Sequence, residues 1–153
     1  MNSDILYKFV RESNKIEGIH GIMVREIEAH EKLLELSILT VRDIEKFVSE
    51  IDPTIKLRDK PGMNVRVGNY YPSQGGDNIR TELGTILALI ISTPTMNDSY
   101  ETHVEYEKLH PFMDVNGRSG RAIWAWQMKQ EGKDPYAIPF LHRFYYQTLE
   151  HSR

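Results

Sequence analysis

Apolar residues recur along most of this chain at the three-to-four-residue interval of an amphipathic helix. Val41, Ile44, Phe47, Val48 and Ile51 share one helical face behind Thr40, a good N-cap, and Pro53 ends the run. Ile79, Leu83, Ile86, Leu87 and Ile90 form a second stripe that stops near Pro94. Asp98, with Glu101 three residues on, reads as a capping pair and predicts a third helix reaching about Leu109. From Arg118 to Glu131 the chain is apolar around most of a helical circumference after its first turn, as suits a helix in the middle of a bundle, and Gly132 closes it. Asp134 and Pro135 then suit the N-cap and first position of a last helix. Leu33, Leu34, Leu36, Ile38 and Leu39 suit either the core or an interface between copies of the chain, which leaves a homo-oligomer open.

One region breaks the helical period. Between Pro61 and Pro72 the residues alternate over Asn64 to Val67 and then offer a Gly68-Asn69 turn. That reads as a short β-hairpin or as a surface loop, and a lone hairpin needs helices to pack on. The expected class is therefore all-α, a helical bundle with one small β element.

Composition narrows the function. At 153 residues the chain fits one domain spanning 1–153. A net charge of −3 argues against a general nucleic-acid or membrane-surface binder, which would need a basic excess. The absence of cysteine excludes disulfides, Cys-ligated metals and thiol catalysis together. The N-terminal MNSDILYKFV mixes charge with apolar residues and has no signal-peptide core. The most apolar run, Leu83 to Ile91, is far short of the roughly 20 residues of a spanning helix. A cytoplasmic protein with neither membrane nor nucleic acid as partner is expected.

The chemistry concentrates between His103 and Trp126. A helix runs into His110 and Pro111, a polar loop holds Asp114 and Asn116, and a second helix begins near Gly117 or Arg118. Helix N-termini present unbonded N–H groups and partial positive charge, so they favour anions. Arg118 and Arg121, three residues apart, add two guanidinium forks that match phosphate oxygens. Positive charge there opposes the helix dipole unless an anion arrives. Asp114 beside phosphates suits a Mg²⁺, and His110 could accept a proton from an attacking hydroxyl. Together these residues suggest phosphoryl or nucleotidyl transfer. A competing arrangement is His103, Glu107 and His110 on one helix face, a set able to bind Zn²⁺ or Fe²⁺ in a helical metallohydrolase.

His110-Pro111-Phe112-Met113-Asp114-Val115-Asn116-Gly117-Arg118-Ser119-Gly120-Arg121 resembles the Fic (Fic/Doc) signature H-P-F-x-[D/E]-G-N-G-R-x-x-R, departing from it only at Val115. The lead-in His103 to Leu109 also resembles the helix before that signature. The resemblance implies an all-α Fic-type bundle and transfer of AMP from ATP to a hydroxyl of a target protein, releasing pyrophosphate. By that resemblance His110 would be the base and Asp114 would hold Mg²⁺. Asn116, Gly117, Arg118 and Gly120 would line the nucleotide, and Arg121 would hold the γ-phosphate. The candidate hairpin, with Val65, Arg66, Val67 and Asn69, would be a flap that docks the target by strand addition. Relatives with altered signatures transfer phosphate instead, and an idle module that binds nucleotide or protein is the reading from another class. Val115 sharpens the question, because a tight anion loop often needs a positive φ that β-branched residues resist. With an ordinary φ its N–H would stay available; with a positive one the loop would shift.

Ser13-Asn14-Lys15-Ile16-Glu17-Gly18 resembles the same family's inhibitory motif, [S/T]-x-x-x-E-[G/N], on an N-terminal helix at about 4–18. Glu17 would pair with Arg121 and so occupy the cation that the γ-phosphate needs. A pair of that kind screened from water is worth a few kcal/mol, enough for about a hundredfold inhibition. In some members the same glutamate supports removal of AMP.

Overall fold

A computed structural model describes residues 3–92 and 99–132, and these form six helices: α1 Ser3–Ile16, α2 Val24–Glu35, α3 Val41–Ile51, α4 Asp77–Ser92, α5 Ser99–Leu109 and α6 Asn116–Gln130. The capping pair at Asp98 and the last helix from Asp134 lie outside the described residues. α6 packs against α1, α2, α3 and α5, while α4 covers α3 and α5. The apolar circumference of α6 accounts for that central place: Ala122, Ile123, Ala125, Trp126 and Met128 are all buried. No helix among the described residues is long and apolar enough to cross a membrane.

Local signals explain the boundaries. Thr40 caps α3 reciprocally: its Oγ1 accepts from Asp43 N at 3.3 Å, and Asp43 Oδ2 accepts from Thr40 N at 2.9 Å. Beyond α6, Gly132 takes a φ of 77° and its N–H bonds Lys129 O. α2 carries no clear apolar stripe in sequence because its buried face includes Glu26 and His30 beside Ala29, Leu33 and Leu34. Leu33, Leu34 and Leu39 join the core, whereas Ile38 is exposed. The end of α6 seats on the end of α2: Trp126 Nε1 donates to Leu36 O at 2.8 Å and Lys129 Nζ to Leu34 O at 3.1 Å.

The hairpin is where the expectation is corrected. Among the described residues there is no strand, only two isolated bridges, Leu57 with Phe112 and Val67 with Tyr70. The second is the expected Gly68-Asn69 turn, closed by two hydrogen bonds of 2.9 Å, with Gly68 at φ 60°. Pairing stops there because the neighbouring groups bond elsewhere. Asn64 Oδ1 accepts from Gly75 N at 2.9 Å, and the carbonyls of Met63 and Ser73 accept from the Arg58 side chain.

Candidate functional site at the start of α6

α5 ends at Leu109, and His110 turns out of it with a φ of 51°. Its N–H still bonds Tyr106 O at 3.0 Å, and its Nδ1 lies 3.1 Å from Glu107 O. A carbonyl can only accept, so Nδ1 is the donating nitrogen, which in the neutral ring puts the lone pair on Nε2, the tautomer a base requires. This turn also takes His110 off the helix face that the competing metal arrangement assumed. His103 and Glu107 lie buried on α5, 3.9 Å apart, but His110 has left the helical path that the spacing assumed. No group of three metal-binding side chains forms among the described residues.

Loop 110–116 is closed by Asn116, whose Oδ1 accepts from Phe112 N at 2.9 Å and whose Nδ2 donates to Phe112 O at 2.8 Å. With both amide atoms bonded to Phe112 and the residue 3% exposed, the Asn116 side chain shapes the loop. Val115, the helix cap, has φ 67° and ψ 12°. The backbone here is left-handed, not ordinary, and a β-branched residue bears the strain. The Val115 N–H is not available, since it donates to Asp114 Oδ1 at 2.7 Å. Asp114 itself is exposed.

The helix starts at Asn116, earlier than the Gly117 or Arg118 expected, so Arg121 belongs to the second turn. Side chains tilt toward a helix N-terminus, and its guanidinium accordingly reaches back over Gly117: a Cβ placed there would lie 3.0 Å from NH1. The first helical bond runs from Ser119 N to Val115 O at 2.9 Å, so the N–H groups of Asn116, Gly117 and Arg118 lie ahead of the ladder. Arg118 is half-buried, and its Nε has no hydrogen-bond partner among the described residues. Gly120 lies away from this end, at the α5–α6 contact, where a Cβ would approach Glu107 Oε1 to 2.6 Å and Tyr106 Cδ1 to 3.0 Å. It lets the two helices touch.

α1 brings an anion to Arg121. The helix is two residues shorter at its end than expected, and its C-terminus is a Schellman motif. Gly18 N bonds Lys15 O at 2.9 Å, Ile19 N bonds Asn14 O at 3.0 Å, and Gly18 is left-handed at φ 74°. Glu17 is thereby the C-cap, its side chain thrown across the bundle. Oε1 meets Arg121 NH2 at 2.7 Å and packs so tightly on Gly117 that a Cβ there would collide with it. Ser13 holds the same guanidinium twice: its Oγ accepts from Nε at 2.8 Å and its carbonyl from NH2 at 2.9 Å. Arg121 is 1% exposed, whereas the Glu17 side chain is 35% exposed. Asn14 fastens this end of α1 through Nδ2, which donates to Glu26 Oε2 at 2.7 Å and to Gly21 O at 3.1 Å.

Two residues that sequence reasoning missed stand around this site. His30 is buried between Phe9 of α1 and Phe47 of α3, ring centroids 6.1 and 4.9 Å away. Its Nδ1–H donates to Glu26 O at 2.7 Å, and burial pushes the imidazole down to about 4. The other is Arg58, 0% exposed, which bonds the backbone of both loop 110–116 and the segment after it in sequence. An arginine in a polar stretch reads as solvated, so nothing short of a structure marks it. Of the flap residues, Val65 and Val67 are half-buried and Arg66 and Asn69 exposed, and Arg66 lies over the Tyr71 ring at 5.8 Å. A surface groove of about 430 Å³ lies beside Tyr70, Ser73, Ile86, Lys108 and Leu109, away from Arg121. Comparison with protein-family models and with curated proteins finds no match for this chain.

Proposed function

We propose that the chain is an autoinhibited protein adenylyltransferase of the Fic type, moving AMP from ATP to a Ser, Thr or Tyr hydroxyl of another protein. The observation that carries the reading is the anion already held at α6: Glu17 paired at 2.7 Å with the buried Arg121, against Gly117. A guanidinium folded back over unladdered N–H groups is an anion site, and a carboxylate brought by another helix is what a phosphate would displace. His110 supports the transfer half of the reading through its tautomer.

In the reaction the target hydroxyl loses its proton to His110 Nε2 as its oxygen bonds the α-phosphorus. The bond from that phosphorus to the bridging oxygen breaks, and pyrophosphate leaves. Arg121 and the N–H groups of Gly117 and Arg118 orient the triphosphate so that the departing oxygen lies opposite the attack. Asp114 fits a Mg²⁺ in the one-carboxylate manner usual beside phosphates, being exposed with Oδ1 alone committed. That ion would neutralise charge on the departing pyrophosphate. The turn at Gly68-Asn69 and the exposed Tyr71 and Met113 would meet the target.

The test is transfer of label from α-labelled ATP, with Mg²⁺, to this chain or to proteins of a lysate. Glu17→Gly is expected to label several-fold more than wild type, and His110→Ala not at all. Label from γ-labelled but not α-labelled ATP would show phosphate transfer, and ATP binding without label would show an idle module.

A further inference from the structure

Arg58 is among the largest fully buried side chains of the protein. Burying a guanidinium is costly without a counter-ion in contact, yet every acceptor it meets among the described residues is a neutral backbone carbonyl. Nε donates to His110 O at 2.7 Å and NH2 to Leu109 O at 2.9 Å. NH1 donates to Met63 O at 3.0 Å and to Ser73 O at 2.8 Å. The first two carbonyls end α5, at the negative pole of its dipole, which offsets part of the burial penalty. The other two stand on either side of the Gly68-Asn69 turn.

The backbone of Arg58 repeats the pattern. Its N–H donates to Pro111 O at 2.9 Å, Met113 N donates to Lys56 O at 3.2 Å, and Gly76 N donates to Arg58 O at 3.0 Å. A helix end alone could be capped by lysine or glycine. A planar fork bonding four carbonyls on three segments requires arginine. The carbonyl taken by Nε belongs to His110, whose left-handed backbone needs outside support.

We propose that Arg58 is a positioning residue that holds His110 and the 59–75 loop in one frame, so that a hydroxyl docked on the loop arrives at the imidazole. The assignment rests on the transfer reading above. It makes a separate statement about geometry, which is readable without turnover.

Arg58→Lys and Arg58→Gln, made with Glu17→Gly, test it. Both keep a donor but lose the fork. The expected result is a kcat for AMP transfer reduced about tenfold or more, with KM for ATP within about threefold, because the triphosphate site belongs to α6. Side-chain ¹⁵N NMR should show the His110 Nδ1–H tautomer giving way to a mixture, and limited proteolysis should cut within 59–75 sooner. Lysine should retain more of each property than glutamine. An unchanged kcat, tautomer and cleavage rate in folded Arg58→Lys and Arg58→Gln would overturn the proposal, as would an equal loss of ATP binding. If no variant transfers AMP at all, the transfer reading fails, while tautomer and cleavage still decide for or against Arg58 as the frame. Should Arg58→Gln not fold, Arg58→Lys decides alone.

Discussion

Releasing Arg121 is the perturbation whose size the structure sets most closely. Fully buried ion pairs that lose one partner are destabilised by about 3–5 kcal/mol. Here the Glu17 carboxylate is 35% exposed, and exposed pairs are worth only about 0–1 kcal/mol. A charged hydrogen bond at 2.7 Å between those limits contributes about 1.5 kcal/mol. Arg121 also keeps both bonds to Ser13 when Glu17 is lost. The hundredfold brake expected from a screened pair is therefore too large. Glu17→Gly should tighten ATP binding about tenfold, by the usual 1.4 kcal/mol per decade. Glu17→Gln, which keeps a hydrogen bond and drops the charge, should gain less. Ser13→Ala removes one neutral acceptor worth about 1 kcal/mol, and its effect should depend on whether Glu17 is present, because both residues hold one guanidinium. Isothermal titration with ATP and Mg²⁺ on wild type, the three single variants and the Ser13→Ala/Glu17→Gly double variant gives the numbers. Wild-type affinity in both Glu17 variants, with folding intact, would refute the competition argument.

Further consequences concern stability. His30 remains neutral in the fold down to about 4 but takes a proton near its ordinary 6.5 when unfolded. Stability is then full above 6.5 and falls as the pH drops toward 4, by about 2 kcal/mol at pH 5. Glu26 opposes this by favouring the charged ring, and Arg118 and Arg121 reinforce it. Urea midpoints across that range should slope for wild type and flatten for His30→Gln; parallel slopes would exclude His30 as the cause. Gly120→Ala drives a Cβ to 2.6 Å from Glu107 Oε1 and should destabilise by about 1–3 kcal/mol in thermal melts, so an unchanged melting point would contradict the close α5–α6 contact. Val115→Gly relieves about 2 kcal/mol of left-handed strain, but loses about 2 of side-chain burial and about 0.7 in chain entropy. Denaturant unfolding should find it about 0.7 kcal/mol less stable than wild type, and a clear gain in stability would mean the strain has been underestimated.

Much of the scaffold was legible in sequence, for identifiable reasons. α3 is announced by Thr40, its apolar stripe and Pro53, and α6 by a nearly all-round apolar surface. α2 was not, because Glu26 and His30 occupy its buried face and interrupt the period that signals a helix. The start of α6 was misplaced by two residues or fewer, since its cap is Val115, a type that makes no capping bond. At the site, the pairing of Glu17 with Arg121, far apart in sequence, was reachable only through the motif resemblance. The geometry adds a physical reason for that motif: glutamate must be the C-cap, and the next residue must tolerate a left-handed backbone. Arg58 was invisible because its partners are carbonyls, which leave no trace in side-chain types. The two bonds of the Asn116 amide to Phe112 are hidden for the same reason, since both partners are main-chain atoms.

The most direct measurement is a crystal structure of the Glu17→Gly protein grown with ATP and Mg²⁺. The account predicts a triphosphate at the start of α6, its γ-phosphate on Arg121 and its α-phosphorus facing His110 Nε2. Nucleotide bound elsewhere, or none at that helix end under saturating ATP, would contradict it.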